Sequence, residues 1–325
     1  MRCTRLRAAA GVLPLLVMVL AGCGDATSSG GGTVEKDSLT VAALPLVDTA
    51  AVHIAVERKL FEDEGLTVKI EPVAQSLAAL PALKNGQIDV IGGANYVTFL
   101  QAHQQGTVKL RIVADAVAEA PRFMRLVVLP DSPIKVPADL TGKTVAVNIL
   151  NNIQTLTFNE VLKVNGVDPA TIRYRAVPFP LMDKALANHD VDAVHTAEPF
   201  GTVFEQKLRA RMVLDGGGDP VTGIPVSGYV STEDFVTKYP RTAAAFQRAI
   251  IKAQTLASGD RKQVEKVLPG YAKVDEQTAA ALALPGYPTS TDPARLQRLA
   301  DLMLQQGLVK DPIDARSVIF VPPAR

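Results

Sequence analysis

Short runs of acidic, amide and hydroxyl residues follow several predicted strands, where they could hydrogen-bond a small polar solute. In doubly wound α/β sheets, a ligand lies beyond the carboxyl ends of the strands, against the N-termini of the helices that follow. This rule predicts ten ligand-binding residues: Asp48, Thr49, Gln75, Ser76, Gly93, Asn95, Tyr96, Asn148, Asn151 and Glu198.

The predicted binding loops contain acids and amides but neither lysine nor arginine. An anion bound there would depend on helix N-termini and amides, whereas an amine or protonated ring nitrogen could pair with Glu198 or Asp48. We therefore expect a nitrogen-bearing solute, and expect Glu198→Gln to weaken its binding roughly ten-fold. Both acids have a structural alternative, Asp48 as a helix N-cap and Glu198 as a hydrogen-bond partner across the sheet end.

The sequence contains no pattern typical of catalysis or metal binding. The four histidines lack metal-ligand spacing, and the only cysteines are Cys3 and Cys23. Residues 141–144, Thr-Gly-Lys-Thr, imitate the end of a phosphate-binding loop, but Pro137 stands where that motif needs glycine. We therefore expect no catalytic residue, no cofactor and no metal, and a protein that is not an enzyme.

The N-terminus has the pattern of an export signal. Three arginines within the first seven residues precede an apolar stretch that is too short to span a membrane, and Leu20-Ala21-Gly22-Cys23 resembles a bacterial lipobox. This predicts a signal peptide over residues 1–22 and acylation of Cys23, with palmitate-type chains that anchor the protein on the extracytoplasmic face of the cell membrane. The alternative is an ordinary secretory signal with a cysteine there by chance.

A flexible polar segment follows the predicted signal. Residues 23–37 are rich in glycine and polar residues, which is typical of a tether.

The charge of the chain without the predicted signal peptide is nearly balanced. Loss of the three signal arginines reduces the 34 basic residues to 31, against 33 acidic residues. This balance gives no electrostatic footprint for nucleic acid, so we expect no nucleic-acid partner.

The rest of the chain reads as strands alternating with helices, the pattern of a mostly parallel α/β sheet. Nine strands are predicted, at 39–43, 66–70, 88–91, 110–114, 124–129, 144–147, 172–176, 191–196 and 211–214. Residues 82–91 align without gaps on 185–194, and 40–42 align on 144–146 at nearly the same offset. Two similar lobes are therefore expected to enclose a cleft, across which the repeat would set Asn95 opposite Glu198.

Several motifs carry a family resemblance. They are Val41–Thr49, Phe61–Leu66, Gly86–Val90, Asp139–Lys143, and Val191–Ala193 with Glu198–Phe200. In combination they resemble periplasmic-binding-protein-like solute receptors of ABC importers, in the nitrate/sulfonate/taurine and thiamine-pyrimidine family. Relatives specific for sulfonates tend to have a Thr/Gly/Ser-rich stretch where this chain has Asn148-Ile149-Leu150-Asn151-Asn152. A pyrimidine, flavin-like or zwitterionic solute is therefore favoured, with a sulfonate, nitrate or taurine receptor as the alternative.

The resemblance also implies an architecture and partners. The type II periplasmic-binding-protein fold would have a discontinuous lobe I, residues 38–120 plus 220–325, and a lobe II, residues 121–219, joined by a hinge of two crossovers. The expected partners are a small-molecule solute, an ABC permease and its ATPase, with the chain itself acting as a monomer. A sensory lipoprotein of the same fold, without a transport partner, is a further alternative.

Overall fold

The structure is a computed structural model that describes residues 33–324. The predicted signal peptide, the predicted lipidation site Cys23 and most of the predicted tether lie outside the described residues. Within the described range, no helix is long and apolar enough to cross a membrane.

Within residues 33–324, ten strands form two five-stranded sheets. The first sheet contains β1 (Ser38–Ala43), β2 (Thr67–Pro72), β3 (Val90–Asn95), β4 (Leu110–Ala118) and β10 (Pro225–Thr232), in the order β2-β1-β3-β10-β4. The second contains β5 (Met124–Val128), β6 (Thr144–Val147), β7 (Arg173–Ala176), β8 (Ala193–Ala197) and β9 (Arg211–Asp215), in the order β7-β6-β8-β5-β9.

Helices flank both sheets. The α-helices of the described range are α1 (Ala50–Glu57), α2 (Leu80–Lys84), α3 (Tyr96–Gln104), α4 (Ile153–Val164), α5 (Phe179–Ala187), α6 (Phe200–Leu208), α7 (Glu233–Lys238), α8 (Pro240–Gly259), α9 (Arg261–Tyr271), α10 (Glu276–Ala281), α11 (Pro293–Gln305) and α12 (Ala315–Val318). This arrangement confirms the predicted α/β class with two similar, mostly parallel lobes.

The chain passes between the sheets twice. It leaves the first sheet over residues 119–123 and returns over residues 216–224, so that β10 joins the first sheet from a distant part of the sequence. β10 runs antiparallel to both of its neighbours, and β5 does the same in the second sheet. The lobe boundaries given above, at residues 120/121 and 219/220, stay predictions.

Strand β10 was not among the nine predicted strands. Its sequence begins with Pro225 and contains Gly228, two residue types that are depleted in strands. Gly228 is required by packing, because a Cβ atom there would stand 2.1 Å from the Tyr96 hydroxyl oxygen. The local sequence pattern therefore does not predict β10, which forms a strand because it pairs with β3 and β4 on its two sides.

The N-termini of two helices are formed differently. Asp292 caps α11 by accepting a hydrogen bond from the backbone amide of Ala294. Asp48, considered above as a helix N-cap, does not cap α1. Thr49 donates its hydroxyl to the Leu44 carbonyl at 2.7 Å, and Asp48 lies within a short 3₁₀ helix that precedes α1.

Candidate functional site

A narrow pocket lies where the carboxyl ends of parallel strands from both sheets meet. Its lining from the first sheet and adjoining loops is Leu44, Leu46, Asp48, Ser76, Gly93, Asn95, Val226 and Ser227. Its lining from the second sheet and adjoining segments is Met124, Asn148, Ile149, Asn152, Ile153, Gln154, Phe179 and Ala197. The open volume is about 40 Å³, room for a few water-sized groups, since one water needs about 10–15 Å³.

Five of the ten predicted binding residues line this pocket. They are Asp48, Ser76, Gly93, Asn95 and Asn148. The structure therefore brings together acids and amides from four strand ends, as the rule about carboxyl ends requires. Asn95 shares the pocket with Asn148 rather than with Glu198, the residue expected to face it from the internal repeat.

Asp48 is the acidic group of the pocket lining, and it is 5% exposed. Its Oδ2 accepts a hydrogen bond from the Ser227 hydroxyl at 2.7 Å, while its Oδ1 has no partner within residues 33–324. Burial raises the pKa of Asp48 to about 6, against the opposing effect of the Ser227 hydrogen bond. The Asp48 carboxyl group therefore changes its protonation state near pH 6. Its Oδ1 is free to accept a hydrogen bond from a solute.

Tyrosines from the C-terminal part of the chain hold the loop that carries Asp48. The Tyr271 hydroxyl donates to the Leu46 carbonyl at 3.1 Å, and the Tyr287 hydroxyl donates to the Val47 carbonyl at 3.0 Å. These bonds satisfy the carbonyls of the two successive residues that precede Asp48. The position of Asp48 thus depends on residues more than 220 positions away in the sequence.

The end of β3 forms the neighbouring wall. The Asn95 side chain caps α3 by accepting a hydrogen bond from the Thr98 backbone amide. The Asn95 backbone amide donates to the Ser76 hydroxyl at 3.4 Å. Gly93 has φ of +70°, and a Cβ atom there would lie 3.1 Å from the Thr49 methyl group. Only glycine therefore fits at residue 93 without moving the Asp48 loop.

Across the pocket, the start of α4 holds Asn148. The Asn148 backbone amide donates to Gln154 Oε1 at 2.7 Å, and Gln154 Nε2 donates to the His195 carbonyl at 2.7 Å. Asn152 caps the helix by accepting from the Gln154 amide at 3.0 Å. Asn148 is 8% exposed and its Oδ1 has no partner among the described residues. A second free acceptor therefore lies in the lining.

The other five predicted residues do not line the pocket. Thr49 is bonded to its own loop, and the Tyr96 hydroxyl donates to Asp115 Oδ1 at 2.6 Å. Gln75 precedes a 3₁₀ helix, and Asn151 is exposed with φ of +55°. Contacts between these residues and a solute stay predictions.

Glu198, the fifth of these residues, is fully buried with protein partners on both oxygens. It forms an ion pair with Arg125, which is 1% exposed. It also accepts from the Thr202 amide at 3.0 Å, the Thr202 hydroxyl at 2.7 Å and the Ala283 amide at 2.9 Å. This is the structural alternative considered above for Glu198, with a buried arginine that the search for basic residues near the strand ends missed.

Glu119 is a second acid that the sequence reasoning missed. It follows β4 directly, so the same rule about strand ends could have selected it. Its side chain is 2% exposed, and burial together with the charge of Asp48 raises the pKa of Glu119 well above its usual range. Its Oε2 has no partner within the described range.

The described residues contain no group of three or more histidine, cysteine, aspartate and glutamate side chains placed to hold a metal ion. The lining combines apolar side chains with amides, hydroxyls and the one carboxyl group of Asp48 around a small pocket. Such groups bind and orient a polar molecule through hydrogen bonds.

Comparison with protein families gives one match. The family described as "NMT1/THI5 like" matches residues 47–262, which is more than half of the chain. The matched region includes β2 to β10 and every lining residue of the pocket except Leu44 and Leu46.

Three individual proteins are informative. The nitrate import ATP-binding protein NrtC of Synechocystis is 24% identical over 289 residues, covering 82% of this chain. The chain spans only 42% of that relative's length. The alkanesulfonate-binding protein SsuA of Xanthomonas axonopodis, solved with bound MOPS, is 21% identical with a TM-score of 0.75, covering 89% of this chain and 99% of the other.

The same fold is also found in an enzyme. The desulfurization enzyme DSZB is 15% identical with a TM-score of 0.64, covering 88% of this chain and 97% of the other. At these identities the structural likenesses establish the fold of this chain, and they leave the chemistry to be argued from its own residues.

Proposed function

Because the chain belongs to the NMT1/THI5-like family, we propose that it is the extracytoplasmic solute-binding receptor of an ABC importer. The observation that carries this proposal is the buried polar pocket between the two sheets, with free acceptors on Asp48 and Asn148. Buried polar groups without partners are rare in proteins, and a bound solute would supply the missing donors.

The binding step would be a closure of the two lobes. A pyrimidine or a zwitterion is larger than a pocket of about 40 Å³. Rotation about the crossovers at 119–123 and 216–224 would open the pocket to admit such a solute and then exclude water around it. Asp48, Ser76, Gly93, Asn95 and Asn148 would then contact the solute from both sides.

We favour a nitrogen-bearing solute, such as an aminopyrimidine, a flavin-like ring or a zwitterion. The lining contains one carboxyl group, three asparagines and a glutamine, and neither lysine nor arginine. An N–H donor on the solute would match the free oxygens of Asp48 and Asn148.

A sulfonate or nitrate receptor is the alternative, and one observation favours it. Helices α3 and α4 both begin at the pocket, and amides at helix N-termini suit an anionic group. A zwitterion would use both features, with its anionic end at the helix starts and its ammonium at Asp48.

The proposed partners are a permease and an ATPase in the membrane to which the acylated Cys23 would anchor the monomer. We expect Cys23→Ala to abolish labelling by palmitate and to release the protein from membranes. Cys3→Ala is the matched control and should keep the label. Retained labelling in Cys23→Ala would contradict the lipoprotein assignment, and failure to crosslink to a permease would favour the sensory alternative.

The test of the receptor is the melting temperature of the purified full chain against a panel of solutes. The panel contains taurine, isethionate, nitrate, bicarbonate, aminopyrimidines, thiamine and riboflavin. A ligand at about a hundred times its Kd stabilises the folded state by about 2.7 kcal/mol, which raises the melting temperature by several degrees. Chemical conversion of the bound compound, followed by mass spectrometry, would contradict a receptor and favour an enzyme.

A further inference from the structure

Glu119 occupies the point where the two crossovers between the sheets touch. Its amide donates to the Ile224 carbonyl at 2.8 Å, and its carbonyl accepts from the Gly223 amide at 2.9 Å. These bonds fix the backbone of residue 119 against the second crossover. The side chain therefore starts from a fixed point beside β10, whose Val226 and Ser227 line the pocket, although Glu119 itself is not a lining residue.

The carboxyl group of Glu119 has almost no partner in the protein. The Thr157 hydroxyl lies 3.4 Å from Oε1, but it lies closer, 2.8 Å, to the Ile153 carbonyl. A hydroxyl has one hydrogen to donate, so the shorter contact takes it. Since Oε2 also lacks a partner within residues 33–324, both oxygens remain available as acceptors.

Two further free acceptors lie in the pocket lining, which Glu119 approaches through Thr157. Ile153 lines the pocket and is bonded to Thr157, which connects the surroundings of Glu119 to the lining. The free Oδ1 atoms of Asp48 and Asn148 lie in that lining, and each side chain is more than nine-tenths buried. The charge of Asp48 also acts on Glu119.

No basic side chain in the described range is positioned to neutralise these acids. The buried Arg125 is paired with Glu198 and Glu205, and Arg295 is paired with Asp115. An unpaired buried carboxyl group lowers the stability of a protein. Proteins retain such unfavourable groups where their function requires them. A bound cation would relieve both the desolvation of the acids and their mutual repulsion.

We infer that Glu119 is a solute-recognition residue, which acts with Asp48 and Asn148 as an acceptor set for a primary ammonium or amidinium group. This inference rests on the proposed receptor function and names the chemical class that the pocket selects. The three oxygens provide one acceptor for each N–H of an ammonium, and a bound cation would stabilise the ionised forms of the two acids, which supply the opposite charge.

The test uses pairs of probes that differ only in the cationic group. Taurine and isethionate carry an ammonium and a hydroxyl on the same sulfonate, and 4-amino-5-aminomethyl-2-methylpyrimidine is paired with its 5-hydroxymethyl analogue. By calorimetry, at least one ammonium probe should bind the full chain ten-fold or more tightly than its hydroxyl partner. Glu119→Gln should reduce that affinity at least ten-fold, whereas Glu71→Gln, which removes a charge from the exposed end of β2, should not.

The melting temperature without solute separates recognition from a structural role. Glu119→Gln should leave it unchanged or raise it, because the amide removes a buried, unpaired acid. A lower melting temperature with unchanged affinity would overturn the inference. Tighter binding of isethionate or nitrate than of any ammonium probe would also overturn it, while the receptor function would stand. Absence of binding by every probe, with no solute copurifying in native mass spectrometry, would count against both.

Discussion

Glu198 and Glu119 are buried glutamates that each directly follow a strand, β8 of the second sheet and β4 of the first sheet. They differ in the number of hydrogen-bond and ion-pair partners that the protein supplies to the carboxyl group. Glu198 is 0% exposed and has Arg125, Thr202 and Ala283 as partners. Glu119 is 2% exposed and has only the distant Thr157 hydroxyl. The comparison shows that a position at a strand end selects candidates, while the partners supplied by the fold separate a structural acid from one available to a solute.

The largest effect expected from this comparison is on stability, at Glu198. Glu198→Gln would leave the buried Arg125 without its most buried partner, and we expect the free energy of unfolding in urea to fall by about 3 kcal/mol. Affinity for an ammonium probe should change less than two-fold. Glu205→Gln is the control on the same guanidinium, and should cost about 1 kcal/mol or less because Glu205 is 28% exposed. A ten-fold loss of affinity with unchanged stability would place Glu198 in the binding site.

A second, pH-dependent effect is expected at Asp48. Its pKa is about 6 in the folded protein, against 3.8 for an ordinary aspartate. The folded state therefore holds this proton more tightly than the unfolded state, and the contribution of Asp48 to stability falls as the pH rises from about 4 to about 6. The loss amounts to about 3 kcal/mol.

Asp48→Asn should remove that loss. The variant should match the native chain near pH 4 and exceed its unfolding free energy by up to about 3 kcal/mol above pH 7, as measured by urea titration at several pH values. Asp131→Asn, a change at an exposed residue, should show no such trend. A stability difference between Asp48→Asn and the native chain that does not vary with pH would contradict the burial of a free carboxyl group at this site.

The smallest expected effect concerns the support of the binding loop. Tyr287→Phe removes the hydrogen bond to Val47 and should cost about 1 kcal/mol of stability, with a two- to three-fold loss of affinity for an ammonium probe. Tyr174→Phe removes a hydrogen bond to Asn159 that is remote from the pocket. It should cost a similar amount of stability and leave affinity unchanged. Equal affinities in the two variants would show that Tyr287 does not position the loop.

Much of the fold could be predicted from local patterns. Local sequence patterns located nine of the ten strands in the described range. Strands such as β4 and β5 are mostly apolar and buried, whereas the edge strand β7 is largely exposed. The exception, β10, contains proline and glycine and owes its place to contacts with β3 and β4. Its absence from the predictions also hid Ser227, the hydrogen-bond partner of Asp48.

The site was less predictable than the fold because its contacts join distant residues. Glu198 meets Arg125 across 73 residues, and Tyr287 meets Val47 across 240. No periodicity or short motif records such pairings. Glu119 differs, since it follows a strand that was predicted, and wider application of the same rule would have included it.

The most direct test of the account is the ratio of the Kd of isethionate to that of taurine, measured by calorimetry in the native chain, Glu119→Gln and Glu198→Gln. If the pocket takes taurine, we expect a ratio of ten or more in the native chain and in Glu198→Gln, and a ratio near one in Glu119→Gln. A ratio of ten or more in Glu119→Gln, or a ratio near one in Glu198→Gln, would contradict the recognition role of Glu119.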